Sequence, residues 1–286
     1  MKRLGRRVAA VAERSGGAVL LETFHAWRED GGSQMGAALA FYALFSLVPL
    51  LSVVISVTGL AFGREAAAGR VVEEVASLIG EQPARAVQGL IEQARRPGTG
   101  PAAFVIGLGA LFVGASALVV ALQDSINEVW KAEPRPGFLH LCRKHALAYL
   151  LVAGLGAMAV VSTIGSAGLA LAARRYGSVQ LMPSIAVLWN FLLTLAGLIV
   201  LLSAIFKWVP DVHVPWRDVW MGAFFTALLF MAGRSFLGFV SGIQAVRSSY
   251  GAAGSLVVLL FWIYYSAQIF YLGAEFTKVH ARRREK

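Results

Sequence analysis

Charge is scarce in this sequence. Only 15% of its 286 residues are Asp, Glu, Lys or Arg, where a water-soluble domain averages about 25%. Acid is the scarcer sign, with 16 Asp and Glu against 26 Lys and Arg. Cysteine is nearly absent. Cys142 stands alone, which excludes an internal disulfide and any Cys-rich metal centre. The five histidines, at 25, 140, 145, 213 and 280, form no HxH or HxxxH pair, and there is no DxD, so the ligand sets for metal-assisted hydrolysis are missing. GxSxG, the P-loop and GxGxxG are missing too, which removes acyl transfer and nucleotide-driven mechanisms. The chain is expected to be no enzyme, with no catalytic residues, no metal and no cofactor.

What the sequence has is apolar length. Hydrophobic residues make up 57% and the mean hydropathy is +0.66. A helix needs roughly 20 mostly apolar residues to cross ~30 Å of hydrocarbon. Six windows qualify, at 36–62, 101–123, 146–173, 183–206, 216–240 and 251–275. Lipid offers the backbone no partners, so continuous runs must be helical, and they are too long for the alternating strands of a barrel. The expected fold is all-α, a polytopic membrane protein with six transmembrane helices.

Orientation follows from the basic residues, which stay in the cytoplasm. Seventeen Lys and Arg flank one side, in the N-terminal segment, the loops after spans 2 and 4 and the tail, against eight in the loops after spans 1, 3 and 5. Both termini are expected in the cytoplasm. The same distribution explains the net charge of +10 through topology and anionic headgroups, without nucleic acid as a partner. Residues 1–32 contain a basic amphipathic stretch over 5–27 that ends at Asp30-Gly31-Gly32 and is expected to lie in the interface. The chain start lacks the apolar core of a cleaved signal peptide. Ser33 stands where span 1 needs an N-cap. Residues 33–278 form the membrane domain and 279–286 a basic tail.

Between spans 1 and 2, residues 63–100 carry Val71, Val72, Val75, Leu78 and Ile79, then Val87, Leu90, Ile91 and Ala94, at helical spacing on either side of Gly80 and Pro83. This predicts a short extracytoplasmic helical hairpin. No internal repeat stands out from the sequence.

Polar residues at membrane depth are the functional candidates. Ser46 and Pro49 lie in span 1, where Pro49 frees the carbonyl of Phe45 and predicts a kink that serves packing or lines a cavity. Asn190 in span 4 and Gln268 in span 6 are candidates for contact with substrate or for hydrogen bonds between helices. Arg234 lies roughly 27 Å into span 5, as an interfacial anchor or as a cation in an outward cavity. Asp124, Asn127 and Glu275 are expected as a polar cluster at the cytoplasmic face. Small-xxx-small pairs, such as Ala110 with Gly114 and Gly238 with Gly242, predict close helix packing, and one such face is a candidate for homo-oligomer formation.

Four segments in order, ALAFYALFSLVPLL at 38–51, VVALQDSINEVW at 119–130, KWVPDVHVPWRDVWMGA at 207–223 and YGAAGSLVVLLFWIYYSAQIFYLGAEFTK at 250–278, resemble the YihY/BrkB family of bacterial inner-membrane proteins, whose old label is ribonuclease BN. The resemblance covers nearly all of 30–280 and implies the same six-span plan. It also implies a link to virulence, serum resistance, or export of an anionic lipid or lipopolysaccharide-related component. The expected function is a transporter or flippase in contact with membrane lipids; the alternative is a scaffold for envelope assembly. The absent metal ligands argue against the ribonuclease label.

Overall fold

The computed structural model describes residues 16–62, 81–94, 101–133, 182–241 and 254–285, with a few positions between 68 and 76. Within these residues there are seven helices and no strand: α1 (Gly16–Glu29), α2 (Gly32–Phe62), α3 (Glu81–Ala94), α4 (Pro101–Trp130), α5 (Met182–Trp208), α6 (Trp216–Ser241) and α7 (Gly254–Glu285). The chain is all-helical there. Helices occupy five of the six expected windows, and 146–173 lies outside the described residues. Two helices among the described residues contain stretches long and apolar enough to cross a membrane, Phe191–Trp208 in α5 and Leu256–Arg284 in α7.

α7 is the hub, packing against α1, α2, α3, α4 and α6. Its contact with α6 is an antiparallel interlock of unusual closeness. A Cβ on Gly222 would meet Thr277 Oγ1 at 1.7 Å, and one on Gly273 would meet Thr226 Oγ1 at 1.8 Å. Each threonine hydroxyl is satisfied within its own helix, Thr226 donating to Gly222 O at 2.6 Å and Thr277 to Gly273 O at 2.8 Å. Small residues thus let the two backbones approach without leaving a polar group unpaired. Phe225 and Phe276 stack between them at 4.1 Å. The two sides are copies: Gly222-Ala223-Phe224-Phe225-Thr226 and Gly273-Ala274-Glu275-Phe276-Thr277 share four of five residues and pack about a local two-fold axis.

The expected short hairpin is seen in part. In α3, Val87 and Ile91 bury against Leu51 of α2 and Leu259 of α7, with Ala68 beside them; Pro83 sits in the first turn, where a missing N–H is no loss.

Two boundaries differ from expectation. Ser33 is not the cap of α2. Gly31 adopts φ +71°, and its carbonyl accepts from Gln34 and Met35, so one left-handed glycine closes α1 and opens α2. Residues 279–285, expected as a basic tail, continue α7. The helix outruns its apolar segment because carboxylates await its cations: Arg283 Nη2 lies 2.6 Å from Glu22 of α1, and Arg284 Nη1 3.0 Å from Asp218 of α6.

Candidate functional site on the polar face of α7

Opposite the interlock, α7 presents Gln268, Tyr271, Glu275 and Lys278. Their spacing of three, four and three places all four on one face, about half a turn around the helix from Gly273. Tyr271 and Glu275 are fully buried. The face is incompletely hydrogen-bonded: among the described residues Gln268 Oε1, Tyr271 Oη and both oxygens of Glu275 have no well-aligned hydrogen-bonding partner, and neither has Trp27 Nε1 of α1. Tyr271 lies beside the Ser125 side chain of α4. Buried polar atoms are nearly always paired, so five such atoms on facing elements make this region exceptional in the fold.

Around Glu275 the charges form a bridge. Lys278 Nζ donates to Asp30 Oδ2 at 2.8 Å and forms an ion pair with Glu275 Oε2 at 2.7 Å. Asp30 sits on the α1–α2 turn that Gly31 shapes. Its other oxygen lies 2.9 Å from Lys131, which also contacts Glu128 at 2.7 Å. Lys131 reaches Asp30 because it ends α4 at φ 51°, turning the chain there. Burial alone would raise the Asp30 carboxyl, but Lys278, the adjoining Glu275 and Lys131 outweigh it and hold Asp30 at about 2, below its ordinary 3.8. Hydrogen bonds to Glu128 and Asp30 push Lys131 up.

A second buried polar group lies where α4 meets the α5–α6 loop. Asn127 Nδ2 donates to Asp211 Oδ2 at 2.7 Å, and Asp211 N donates back to Asn127 Oδ1 at 2.9 Å. Gln123 Nε2 adds bonds of 3.2 and 3.1 Å to the two carboxylate oxygens. This group is well bonded and ties the end of α4 to the end of α5. Beyond it Lys207 bonds Val214 O at 2.6 Å and lies over the Trp216 ring, which meets Trp208 edge-on.

The candidates read from sequence are dispersed. The expected cytoplasmic cluster separates, with Asn127 on Asp211, Glu275 beside Lys278 and Asp30, and Asp124 exposed. Asn127 and Asp124, one turn apart on α4, differ in enclosure: Asn127 is buried against the α5–α6 loop and Asp124 is exposed. Ser46 is buried and donates to Ala43 O of its own helix at 3.0 Å. Gln268 anchors α7 to the start of α2, its Nε2 bonding Ser33 O at 3.3 Å, and a Cβ on Gly36 would meet that same nitrogen at 2.1 Å. α2 runs through position 49 as helix; the side chains of Pro49, Asn190 and Arg234 lie outside the described residues. So do the small-residue pairs Ala110 with Gly114 and Gly238 with Gly242. The neighbouring Gly233 abuts the Tyr265 ring, ten residues or ~15 Å along α7 from Glu275.

Sequence reasoning passed over Asp30, Lys131, Lys278, Tyr271, Gln123 and Asp211. Asp30 read as part of a helix break, and the two lysines read as topology signals. Two cues were available: the three-four-three spacing of Gln268, Tyr271, Glu275 and Lys278, and the five-residue repeat that places Glu275 where its copy has Phe224. No group of three or more His, Cys, Asp or Glu among the described residues is arranged to hold a metal ion.

Residues 23–286 match the family described as Virulence factor BrkB. Curated relatives described as UPF0761 membrane proteins include one from Alkalilimnicola ehrlichii, 27% identical over 89% of this chain and 56% of its own length. Another from Methylibium petroleiphilum is 28% identical over 90% and 64%, and one from Alcanivorax borkumensis is 31% identical over 88% and 58%. The chain therefore spans less than two thirds of the length of these relatives. No solved structure matches.

Proposed function

The chain belongs to the Virulence factor BrkB family of membrane proteins, and from that premise we propose that it is a six-span protein of the bacterial inner membrane that moves a lipid or an amphipathic anionic envelope component across the bilayer. Both termini lie in the cytoplasm. The observation that carries transport is the incompletely hydrogen-bonded polar face of α7, enclosed among helices whose outward surfaces are apolar. A passive bundle of this size has no need of such a face.

Helix polarity supports the span count. α4 and α5 finish at the same end of the bundle, joined through Asn127 and Asp211, as the reading of one further span between them requires. The sequence places its third apolar run in that interval. α2 starts, α6 starts and α7 ends at this same end, through Gln268 with Ser33 and Arg284 with Asp218. Trp208, Trp216 and Trp220 stand exposed there, as aromatic side chains do at a membrane boundary. On α1, Leu20, Leu21 and Phe24 are exposed while Thr23 is buried, which suits a helix lying in the headgroup region.

The test is reconstitution into vesicles carrying a fluorescent anionic phospholipid, read by reduction of the outer-leaflet probe. Transport predicts loss of fluorescence beyond the half that protein-free vesicles lose. If the loss stays at half with folded protein present, lipid movement is wrong and the scaffold reading takes its place.

A further inference from the structure

We infer that Glu275 is a proton-binding site inside the bundle, loaded from water through the polar face of α7 and covered on its solvent side by the Lys278–Asp30–Lys131 bridge. This goes beyond the transport reading and needs neither its substrate nor its direction.

Three observations carry it. First, Glu275 is fully buried, and among the described residues the cation beside it, Lys278 at 2.7 Å, is shared with Asp30, while neither of its oxygens has a well-aligned donor of its own. A structural carboxylate at such depth is held by donors, as Asp211 is held by Asn127 and Gln123; without them the anion is costly, and the neutral acid is the form that apolar surroundings tolerate. Second, the charges around it are unevenly shared. Lys278 serves both Asp30 and Glu275, and Lys131 serves both Asp30 and Glu128. Among the described residues three carboxylates share two ammonium groups, so one negative charge of this group is left over. Asp30 receives a donor from each lysine and Glu128 is exposed to water, so the surplus falls on Glu275. A proton there balances the group. Third, the local repeat separates what packing requires from what it does not. Phe224 occupies the position of Glu275 in the α6 copy and points outward, so the Gly-Ala-x-Phe-Thr frame works with an apolar residue at its centre. The acid is an addition to the frame.

The route is defined by the other unpaired groups. Tyr271 Oη stands one turn away on the same face, and Gln268 Oε1 a further turn away. Each offers a site where water can bond in relay. From the facing elements the groups nearest this track are Asp30 on the α1–α2 turn, Trp27 on α1, and Ser125 and Lys131 on or just after α4. α6 contributes none, since it packs on the opposite face.

The experiment uses the full chain in lipid nanodiscs and dicyclohexylcarbodiimide, an apolar reagent that adds to protonated carboxyl groups and leaves a stable N-acylurea. Adducts are mapped by mass spectrometry from about pH 5 to about pH 9, a range that brackets a shifted carboxyl group. The inference expects Glu275 to be labelled at the acid end and labelling to fall at least about tenfold across the range. In Lys278→Gln, which removes the cation favouring the anion, the fall should move to higher pH. An unlabelled Glu275, labelling indifferent to pH, or a fall that Lys278→Gln leaves in place would each overturn it. None of these results bears on lipid movement, which the vesicle assay reads separately.

Discussion

The two faces of α7 solve the same problem differently. Against α6, the helix meets a near copy of itself: glycine faces threonine twice, each hydroxyl bonds within its own helix, and two phenyl rings close the axis. Nothing on that seam asks for a partner. On the opposite face, packed on α1, α2 and α4, the helix leaves a carboxylate, a phenol and an amide oxygen without well-aligned partners among the described residues and adds a bridge of shared charges. A seam that is complete when dry holds a fold together. A face that is incomplete when dry is where water, protons or cargo have a physical reason to enter.

The comparison can be broken most severely at Lys278. Lys278→Met removes the cation from both Asp30 and Glu275; Glu275 answers by holding its proton, while Asp30 is left with the half-exposed Lys131 alone, and the protein should lose about 3 kcal/mol in detergent thermal unfolding. Adding Asp30→Asn should restore much of that loss, because the uncompensated charge goes with it. If the double variant is no better than the single, the bridge does not work as described.

The seam comes next. Gly273→Ala places a methyl 1.8 Å from Thr226 Oγ1 and 2.8 Å from Thr226 Cβ, too close for a side-chain rotation to relieve, and should cost about 2 kcal/mol. Thr226→Ala in the same protein should recover part of it. By local symmetry Gly222→Ala should cost a similar amount and be relieved by Thr277→Ala; a marked asymmetry would mean that the repeat is not a structural two-fold.

A smaller effect sharpens the polar side. Asp30 is depressed to about 2 from 3.8, so the stability it lends is fully present above the unfolded value and is lost as pH falls through the folded one. The stability difference between the native chain and Asp30→Asn should therefore be about 2 kcal/mol at neutral pH and shrink as pH drops from about 4 toward about 2. A difference unchanged over that interval would remove Asp30 from the bridge. The smallest change is expected at Lys131→Gly, within about 0.5 kcal/mol of the native chain. Glycine accepts the left-handed backbone more readily, which offsets the loss of ion pairs that are half exposed.

The fold was legible because its signal is bulk composition. Runs of Leu, Val, Ile and Phe in α5 and α7 leave the backbone no alternative to helix, and Gly31 announced the turn between α1 and α2. Boundaries were harder to read. The extension of α7 to Glu285 depends on Glu22 and Asp218, which come from other helices and have no local signature. The site was harder still, for the same reason. Depth along one span places Glu275 near an end and says nothing of Asp30, 245 positions earlier, sharing its lysine. Asn127 and Asp124 look alike in composition, and only the α5–α6 loop decides which is enclosed. The Gly-Ala-x-Phe-Thr repeat, in contrast, was present in the sequence; two five-residue matches are short, and their meaning appears only when the helices lie antiparallel.

The most direct test of the difference between the two faces is a pH-difference infrared spectrum of the full chain in lipid, in H2O and in D2O. The account predicts that acidification from about pH 9 to about pH 6, where ordinary carboxylates stay ionised, brings up the C=O band of a protonated carboxyl, that D2O shifts it down because water reaches the proton, and that Glu275→Gln abolishes it while Asp30→Asn leaves it in place. A spectrum with no such band, or with a band that survives Glu275→Gln, would contradict the claim that the polar face of α7 carries an exchangeable proton.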